Sequence, residues 1–312
     1  MIIEDATSLT FKTRDATSYD SLTAEFDLFT ERFSSPLAER LISLGQISAS
    51  DRVLDVGTGT GIVALEAARQ MGPKGKVIGI DFSEGMLATA QAKAQAAGLL
   101  DCVEFCKMDA EALDLADESF DVVVSLFALL HFPNPLAALK EMRRVLRPGG
   151  RLSIAVGSGP PRLSVNALIA GVRHARDILL KRQGKLLTAP DFLNHLVEER
   201  FPNPDKDELT SLAAHGSKIP GGVPSLVSKA GFTEVSTAWQ GHRSVVESPE
   251  EFWELQRTYS SMARKRLSSA PPAKVEAFRN EFLEICRTVQ SKGGQLVYPY
   301  AGLFVTAQRP RS

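Results

Sequence analysis

A short apolar run that leads into a glycine-rich turn constrains the fold of this chain more than any other segment. Residues 53–61 read V-L-D-V-G-T-G-T-G, and helix-favouring residues follow from Ile62. Glycines at every second position let the backbone come close to a bound ligand, because no Cβ intervenes. We therefore predict a buried strand, a ligand-binding turn and a helix in succession. The candidate binding residues here are Asp55, Gly57, Thr58, Gly59, Thr60 and Gly61.

The spacing of these glycines departs from the dinucleotide-binding pattern. That pattern is G-x-G-x-x-G, whereas Gly57, Gly59 and Gly61 give G-x-G-x-G, with the third glycine one residue early. An NAD-dependent oxidoreductase built on the same kind of sheet therefore fits less well, and it stays open as an alternative.

The composition is that of an ordinary globular protein. Of the 312 residues, 44% are hydrophobic and 23% are charged, and 36 basic residues almost balance 37 acidic ones. The net charge of -1 creates no overall field for nucleic acid or an anionic membrane, so we expect small-molecule partners and no nucleic acid. No acidic trio suited to a divalent metal is evident, and we predict no metal site.

Three features of the sequence point to the cytoplasm. Residues 1–15 carry charges and no apolar core, so they do not resemble a signal peptide. The longest apolar run, residues 122–130, is too short to span a bilayer. The three cysteines form no C-x-x-C pair, which suits a reducing compartment. We predict a cytoplasmic protein without a membrane span.

A second strand is predicted over residues 76–80, and it ends in Asp81. An acidic side chain beside the glycine turn can accept hydrogen bonds from both ribose hydroxyls of an adenosine group. Ser83 can cap the following helix, while Phe82 and Met86 lie where a flat adenine ring can pack. Met86 fits a place in the hydrophobic core equally well.

Two further strands bring more candidate residues to the same sheet edge. After the strand at 103–107, Asp109 and Ala110 can contact adenine, or Asp109 can instead cap a short helix. The apolar strand 120–125 ends at Ser125 and leads towards His131. Ligands of open α/β sheets bind beyond the carboxyl ends of the central strands, so Ser125 and His131 should face the reactive end of the ligand.

Together these segments, followed by R-V-L-R-P-G-G at residues 144–150, resemble the class I S-adenosylmethionine (SAM) dependent methyltransferases. The resemblance is greatest to the ubiquinone and menaquinone C-methyltransferase branch and its small-molecule relatives, and it covers about a third of the chain. It implies a Rossmann-like, mostly parallel sheet of seven strands, with SAM as cofactor. It also implies that the glycine turn holds the amino-acid end of SAM.

The remaining residues predict additions to this core. Helices in the N-terminal segment, divided at Pro36, can cover the cofactor cleft, with the pair Tyr19-Asp20 ahead of them. Amphipathic runs near Leu168 and Phe252 predict two helical insertions that form a lid. The expected divisions are N-terminal helices at 1–45, the SAM-binding core at 46–159, lid insertions at 160–222 and 248–293, a core helix and strand at 223–247, and a final strand and tail at 294–312.

The predicted reaction is in-line methyl transfer to oxygen, carbon or nitrogen of a small, partly apolar acceptor. His131 is the candidate general base, because a free imidazole changes protonation near neutral pH. His195, His215 or His242 could serve instead from the lid. A non-catalytic SAM-binding regulatory module is the other alternative, and the chain can be a monomer or a homodimer.

Overall fold

The chain begins with helices and then alternates strands with helices. The computed structural model describes residues 2–20, 22–160, 164–201 and 222–311. The α-helices are α1 (Ile2–Asp20), α2 (Thr23–Phe29), α3 (Ser35–Gly45), α4 (Ile62–Met71), α5 (Glu84–Ala96), α6 (Pro135–Val145), α7 (Val165–Arg182), α8 (Asp191–Arg200), α9 (Gly222–Lys229), α10 (Pro249–Tyr259), α11 (Ser261–Ser268) and α12 (Pro272–Ser291). The strands are β1 (Arg52–Val56), β2 (Lys76–Asp81), β3 (Val103–Lys107), β4 (Phe120–Leu126), β5 (Leu146–Gly157), β6 (Leu186–Thr188), β7 (Thr233–Val246) and β8 (Gln295–Gln308).

The first of two compact units is built on a sheet. It comprises the described parts of 1–157, 207–238 and 302–312. Its strands run in the order β3-β2-β1-β4-β5-β8, and β7 also pairs with β8. The first five strands pair in parallel, while residues 302–308 of β8 run antiparallel to β5. The predicted Rossmann-like, mostly parallel sheet of seven strands is confirmed.

The central strand β4 is buried along its length, which is why it reads as a continuous apolar run. Val122, Val123 and Val124 have no exposed surface. Leu139 and Met142 of α6 belong to the hydrophobic core that includes Val123. A strand covered on both faces cannot alternate apolar and polar residues. Because β1, β2, β3 and β4 are parallel, their carboxyl ends meet at one edge of the sheet.

Two strands are longer than their sequence patterns predict. β5 begins at Leu146 rather than at Arg151, because Leu146 pairs with Phe120 before the register shifts. β8 begins at Gln295, where residues 295–297 pair in parallel with the short strand β6. Three residues are too few for a recognisable apolar alternation, so the sequence alone does not show β6.

The N-terminal segment corrects the predicted division at Pro36. A helix already begins at Ile2, and α2 continues through a π-helical turn, Thr30–Ser34, into α3. Pro36 occupies the first turn of α3, where its missing N–H costs no hydrogen bond. Pro36 therefore lies just after the π-helical turn that joins α2 to α3, and it does not separate two helices.

The second compact unit is mainly helical and comprises the described parts of 158–206 and 239–301. Its core contains Trp253, which packs edge-to-face on Phe278 and Phe282. The helix predicted through Phe252 and Met262 is wrong as a single element. The chain is extended at Ser260, whose hydroxyl caps α11.

The prediction that the apolar run near Leu168 packs helix on helix is also wrong for most of its residues. None of the side chains of α7 is buried, and the side chain of Leu168 is 71% exposed. Within the first predicted insertion, residues 161–163 and 202–221 lie outside the described residues, and His215 is among them. No helix in the described part of the chain is long and apolar enough to cross a membrane.

Candidate functional site

The glycine turn leaves the carboxyl end of β1 and is anchored to β2. The backbone N–H groups of Gly57 and Thr58 both donate to the carbonyl oxygen of Ile80 at 2.9 Å. Gly57, Gly59 and Gly61 have φ values of 72°, 55° and 84°. L-residues with a side chain rarely adopt this left-handed region. A Cβ at Gly57 would also lie 2.2 Å from the Cβ of Ala128, so this turn requires glycine.

Asp55 and Thr60 bring two buried polar atoms to this turn. Asp55 Oδ2 accepts hydrogen bonds from Thr58 Oγ1 at 2.7 Å and from the N–H of Ala64 at 3.1 Å. Asp55 Oδ1 and Thr60 Oγ1 have no hydrogen-bond partner among the described residues. Buried polar atoms are nearly always paired, so these two atoms fit a ligand with polar groups of its own.

Burial also changes the acidity of Asp55. The residue is 1% exposed, and loss of hydration raises the pKa of its carboxyl to about 7. Hydrogen bonds from Thr58 and Ala64 oppose the shift, while the nearby charge of Asp81 adds to it. A cationic group of a ligand would therefore meet a carboxyl that gains or loses its charge near neutral pH.

Asp81 ends β2 beside the turn. Its Oδ2 accepts from the N–H of Gly59 at 2.9 Å, and its Oδ1 accepts from the N–H of Ser83 at 3.0 Å. Loss of hydration raises the pKa of Asp81, against the hydrogen bonds from backbone N–H groups, which lower it. Each carboxylate oxygen has a second lone pair, so both oxygens can still accept a hydrogen bond from a ligand diol.

Asp109 follows β3 and has two roles within the protein. Its Oδ1 accepts from the N–H of Glu111 at 2.9 Å, and the segment forms a turn rather than the capped helix considered above. Lys12 Nζ lies 2.8 Å from Asp109 Oδ2 and 2.8 Å from Glu111 Oε2. Burial lowers the pKa of Lys12, but hydrogen bonds with both carboxylates outweigh this effect and raise it overall.

The segment after β4 carries His131 in a short 3-10 turn, Leu129–His131. His131 Nδ1 lies 3.4 Å from Asp15 Oδ2, and the ring of Tyr19 meets the imidazole edge-on at 6.2 Å. Phe127, two residues beyond Ser125, has a φ of 60°. Positive φ in a bulky residue is a genuine outlier, and such outliers are frequent at functional sites. No local sequence pattern indicates it.

The other predicted residues are more enclosed than the sequence suggests. Ser125 is buried, and its hydroxyl donates to the carbonyl oxygen of Val56 at 2.7 Å, which ties β4 to β1. Met86 and Ala110 are 3% and 7% exposed. Phe82 lies below the ammonium of Lys107, 5.7 Å from its ring centre. Contacts of these four residues with adenine or with the rest of the cofactor remain predictions.

Helix α1 contributes three polar residues, Lys12, Asp15 and Asp20, which contact the loops after β3, β4 and β2 respectively. The sequence analysis named Asp20 but did not select Lys12 or Asp15. Asp20 Oδ1 accepts from Ser83 Oγ at 2.6 Å and from the N–H of Gly85 at 3.2 Å. Lys12, Asp15 and Tyr19 are three and four residues apart, so their side chains lie on one face of α1. This helical spacing was the sequence signal that could have identified Lys12 and Asp15.

The described residues contain no group of three or more His, Cys, Asp or Glu side chains that could hold a metal ion. The arrangement is therefore one of carboxylates, backbone N–H groups and one imidazole around a glycine turn. It can bind a polar ligand through hydrogen bonds, and the role of His131 as a base stays a prediction.

Comparisons with known proteins assign this arrangement to a family. A family model described as a methyltransferase domain matches residues 53–150. The ubiquinone/menaquinone biosynthesis C-methyltransferase UbiE of Azotobacter vinelandii is 34% identical over 203 residues, which cover 63% of this chain and 78% of that protein. The UbiE protein of Pseudomonas putida is 32% identical over 201 residues, covering 62% and 77%.

A solved structure, that of the [4+2]-cyclase SpnF, aligns with a TM-score of 0.50 at 22% identity, covering 89% of this chain and 82% of that one. This similarity concerns the fold alone. The alignments with the UbiE relatives cover more than three quarters of the length of those proteins. The region that matches the family model contains Gly57, Asp81 and Asp109. The chain therefore belongs to the class I SAM-dependent methyltransferases.

Proposed function

We propose that this methyltransferase acts on a small, partly apolar acceptor and that His131 accepts the acceptor's proton. The observation that carries the proposal is the contact of His131 with Asp15 of α1. His131 lies on the segment after β4, close in sequence to Ala128. Ala128 touches the position that a Cβ of Gly57 would occupy. The imidazole that contacts Asp15 therefore belongs to the same segment that packs against the glycine turn through Ala128.

The residues around the turn suit SAM. When bound, SAM supplies a methyl group on a positively charged sulfur. Asp55 and Thr60 would hold its amino-acid end, since each has a buried polar atom without a partner among the described residues. Asp81 would accept hydrogen bonds from the ribose hydroxyls. Asp109 would accept one from adenine, beside Lys12, which holds its carboxylate in position.

Asp15 would prepare His131 for proton transfer. A carboxylate next to Nδ1 favours the tautomer with a proton on that nitrogen, which leaves Nε2 basic. The same carboxylate stabilises the charged imidazole after it has taken a proton. Asp15 is 9% exposed, whereas the side chain of His131 is 45% exposed, so water screens this interaction in part.

The names of the relatives suggest which acceptors to test first. The UbiE proteins are named for C-methylation in the biosynthesis of ubiquinone and menaquinone. A ring carbon made electron-rich by a neighbouring hydroxyl is therefore the first class of acceptor. Removal of the hydroxyl proton by His131 would raise the nucleophilicity of that ring. Phenol oxygens and amines are the second class.

We expect His131→Gln to lower kcat about 100-fold or more while the Kd for SAM changes less than about twofold. The assay follows transfer of labelled methyl from SAM to a panel of quinols, phenols and amines, with calorimetry for SAM binding. The matched control is His174→Gln, which removes an exposed imidazole on α7 and should change neither value. Full activity of the His131 variant would refute its role as base.

The competing functions give different results in this assay. A regulatory SAM-binding module would bind SAM tightly and transfer no methyl to any acceptor. An NAD-dependent oxidoreductase would gain thermal stability from a nicotinamide cofactor and not from SAM. Neither is favoured by the relatives, which are methyltransferases. The predicted lid, the monomeric or dimeric state, the absence of nucleic-acid partners and the cytoplasmic location stay predictions.

A further inference from the structure

Helix α7 concentrates exposed apolar side chains. Six of the ten exposed large hydrophobic residues in the described chain lie on this one helix, although it contains only 18 residues. Three of them are more than two thirds exposed, with values of 74%, 71% and 68% for Val165, Leu168 and Val172. The other three are Ile169, Ile178 and Leu179. Scattered exposed apolar residues are ordinary, but a contiguous group of them marks an interaction surface.

Five of these six residues form one stripe along the helix. With about 100° between successive residues, Val165, Leu168, Ile169, Val172 and Leu179 fall within a sector of about 100°. The side of α7 away from the stripe faces its own unit. There Arg243 of β7 forms a bidentate salt bridge with Asp177, in which its two terminal nitrogens donate to the carboxylate oxygens at 2.6 and 2.9 Å. The contact holds the helix by one side and leaves the stripe outward.

Basic residues border the stripe. On the same helical geometry Arg173 and Arg182 lie on its two sides and Arg176 lies within it, and all three are exposed. Residues 165–185 hold five basic side chains and one acidic one, Asp177, which already pairs with Arg243. The net charge of -1 for the whole chain hides this local excess.

We propose that α7 is a docking surface for an anionic lipid bilayer, on which the helix lies parallel to the membrane plane. The apolar stripe would enter the boundary between headgroups and acyl chains, and the arginines would contact lipid phosphates. Arg176 can extend its guanidinium out of the stripe towards the headgroups. Pairing of α7 with a second copy of itself would bring like charges together, so charge favours lipid over self-association. The proposal is independent of the proposed role of His131.

The test is co-sedimentation of the full chain with vesicles of phosphatidylglycerol and phosphatidylcholine, compared with vesicles of phosphatidylcholine alone. We expect binding to the anionic vesicles that weakens as salt is added. Leu168→Asp combined with Val172→Asp should reduce the partition coefficient at least about tenfold, because two charges would enter the apolar boundary. The matched control is Leu28→Asp on α2, since Leu28 is 69% exposed and lies outside the stripe; it should bind like the unchanged protein.

A charge variant separates the two components of binding. Arg173→Gln together with Arg182→Gln should weaken binding to anionic vesicles by about fivefold per arginine, with little effect on zwitterionic ones. All replaced side chains are exposed, so the melting temperature should stay unchanged, and circular dichroism checks this. Failure of the unchanged protein to bind anionic vesicles would overturn the proposal, as would equal binding by the Leu168 and Val172 double variant. A dimer that this double variant dissociates, without vesicle binding, would instead make a second copy the occupant.

Discussion

Asp55 couples the binding site to pH. The pKa of its carboxyl in the folded protein is about 7, above its ordinary value of 3.8, because burial penalises the charged form. Between these two values the folded state holds a proton that the unfolded state has lost. Stability from this group therefore falls as pH rises from about 4 to 7, by up to about 1.4 kcal/mol per pH unit.

We expect the free energy of unfolding of Asp55→Asn, relative to the unchanged protein, to improve steadily over this pH range. The asparagine carries no charge at any pH, so it avoids the growing cost of an ionised buried carboxylate. Urea unfolding at pH 4.5, 5.5, 6.5 and 7.5 measures the difference in free energy of unfolding between the two proteins. Taking this difference cancels the contributions of groups that titrate in both. Parallel stability curves would show that Asp55 does not titrate in this window.

Asp81 tests the assignment of the ribose site. We expect Asp81→Ala to weaken SAM binding by about 1.5 to 3 kcal/mol per lost charge-assisted hydrogen bond, measured by calorimetry. The change also removes acceptors for the N–H groups of Gly59 and Ser83, so the melting temperature must be recorded alongside. Glu84→Ala, three residues away and 75% exposed at its side chain, should leave the affinity unchanged. Unchanged affinity of the Asp81 variant would remove it from the ribose site.

At the scale of single elements, α1 is the helix whose contacts matter most for the proposed site. It touches the loops after three parallel strands through Lys12, Asp15 and Asp20. Its only two buried side chains among those described are Phe11 and Asp15, so apolar packing alone holds it weakly. The contacts of Lys12 with Asp109 and Glu111 therefore carry much of its attachment.

We expect Lys12→Met to loosen α1 by about 1.5 to 3 kcal/mol, because two carboxylates lose their shared cation and repel each other. Hydrogen exchange of the α1 amides should speed up about tenfold or more, and exchange in β1 and β4 should not change. Lys107→Met is the matched control, since it removes an exposed ion pair with Glu84 and a contact with the Phe82 ring, and neither contact is made with α1. If both variants exchange alike in α1, the Lys12 bridge contributes nothing to its attachment.

At the scale of the whole molecule, two units have separate hydrophobic cores. Trp253 and Phe282 are buried in the second unit, whereas Leu139 and Val123 are buried in the first. Every cofactor-binding residue predicted from the sequence belongs to the first unit. Binding of SAM and stability of the second unit should therefore respond to different substitutions.

We expect Phe282→Ala to destabilise the second unit by about 3 to 5 kcal/mol while the affinity for SAM stays nearly constant. Hydrogen exchange should accelerate in α10 and α12 and not in β1 or β4. Leu139→Ala makes the corresponding cavity in the first unit and should accelerate exchange in β4. If either substitution accelerated hydrogen exchange in both units, the two cores would unfold as one.

Much of the first unit was predictable because its signals are local. The bounds of β3 agree with the prediction, and those of β2 and β4 differ by only one residue, since apolar runs end where polar residues begin. Asp55, Asp81 and Asp109 follow from the rule that parallel strands end at one edge. The split at Ser260 was not predictable, because the apolar period continues through it while the capping hydroxyl redirects the backbone.

The sequence by itself determined the positions of the first four strands, the conformation of the glycine turn and the edge at which the carboxylates gather. Each depends on residues close together in the chain or on a general rule for parallel sheets. Only the tertiary structure decided what covers a given face. Lys12 meets Asp109 across 97 residues, and α7 turns an apolar stripe outward. The helical period shows that a face is apolar or charged, but its partner is chosen by packing between distant segments.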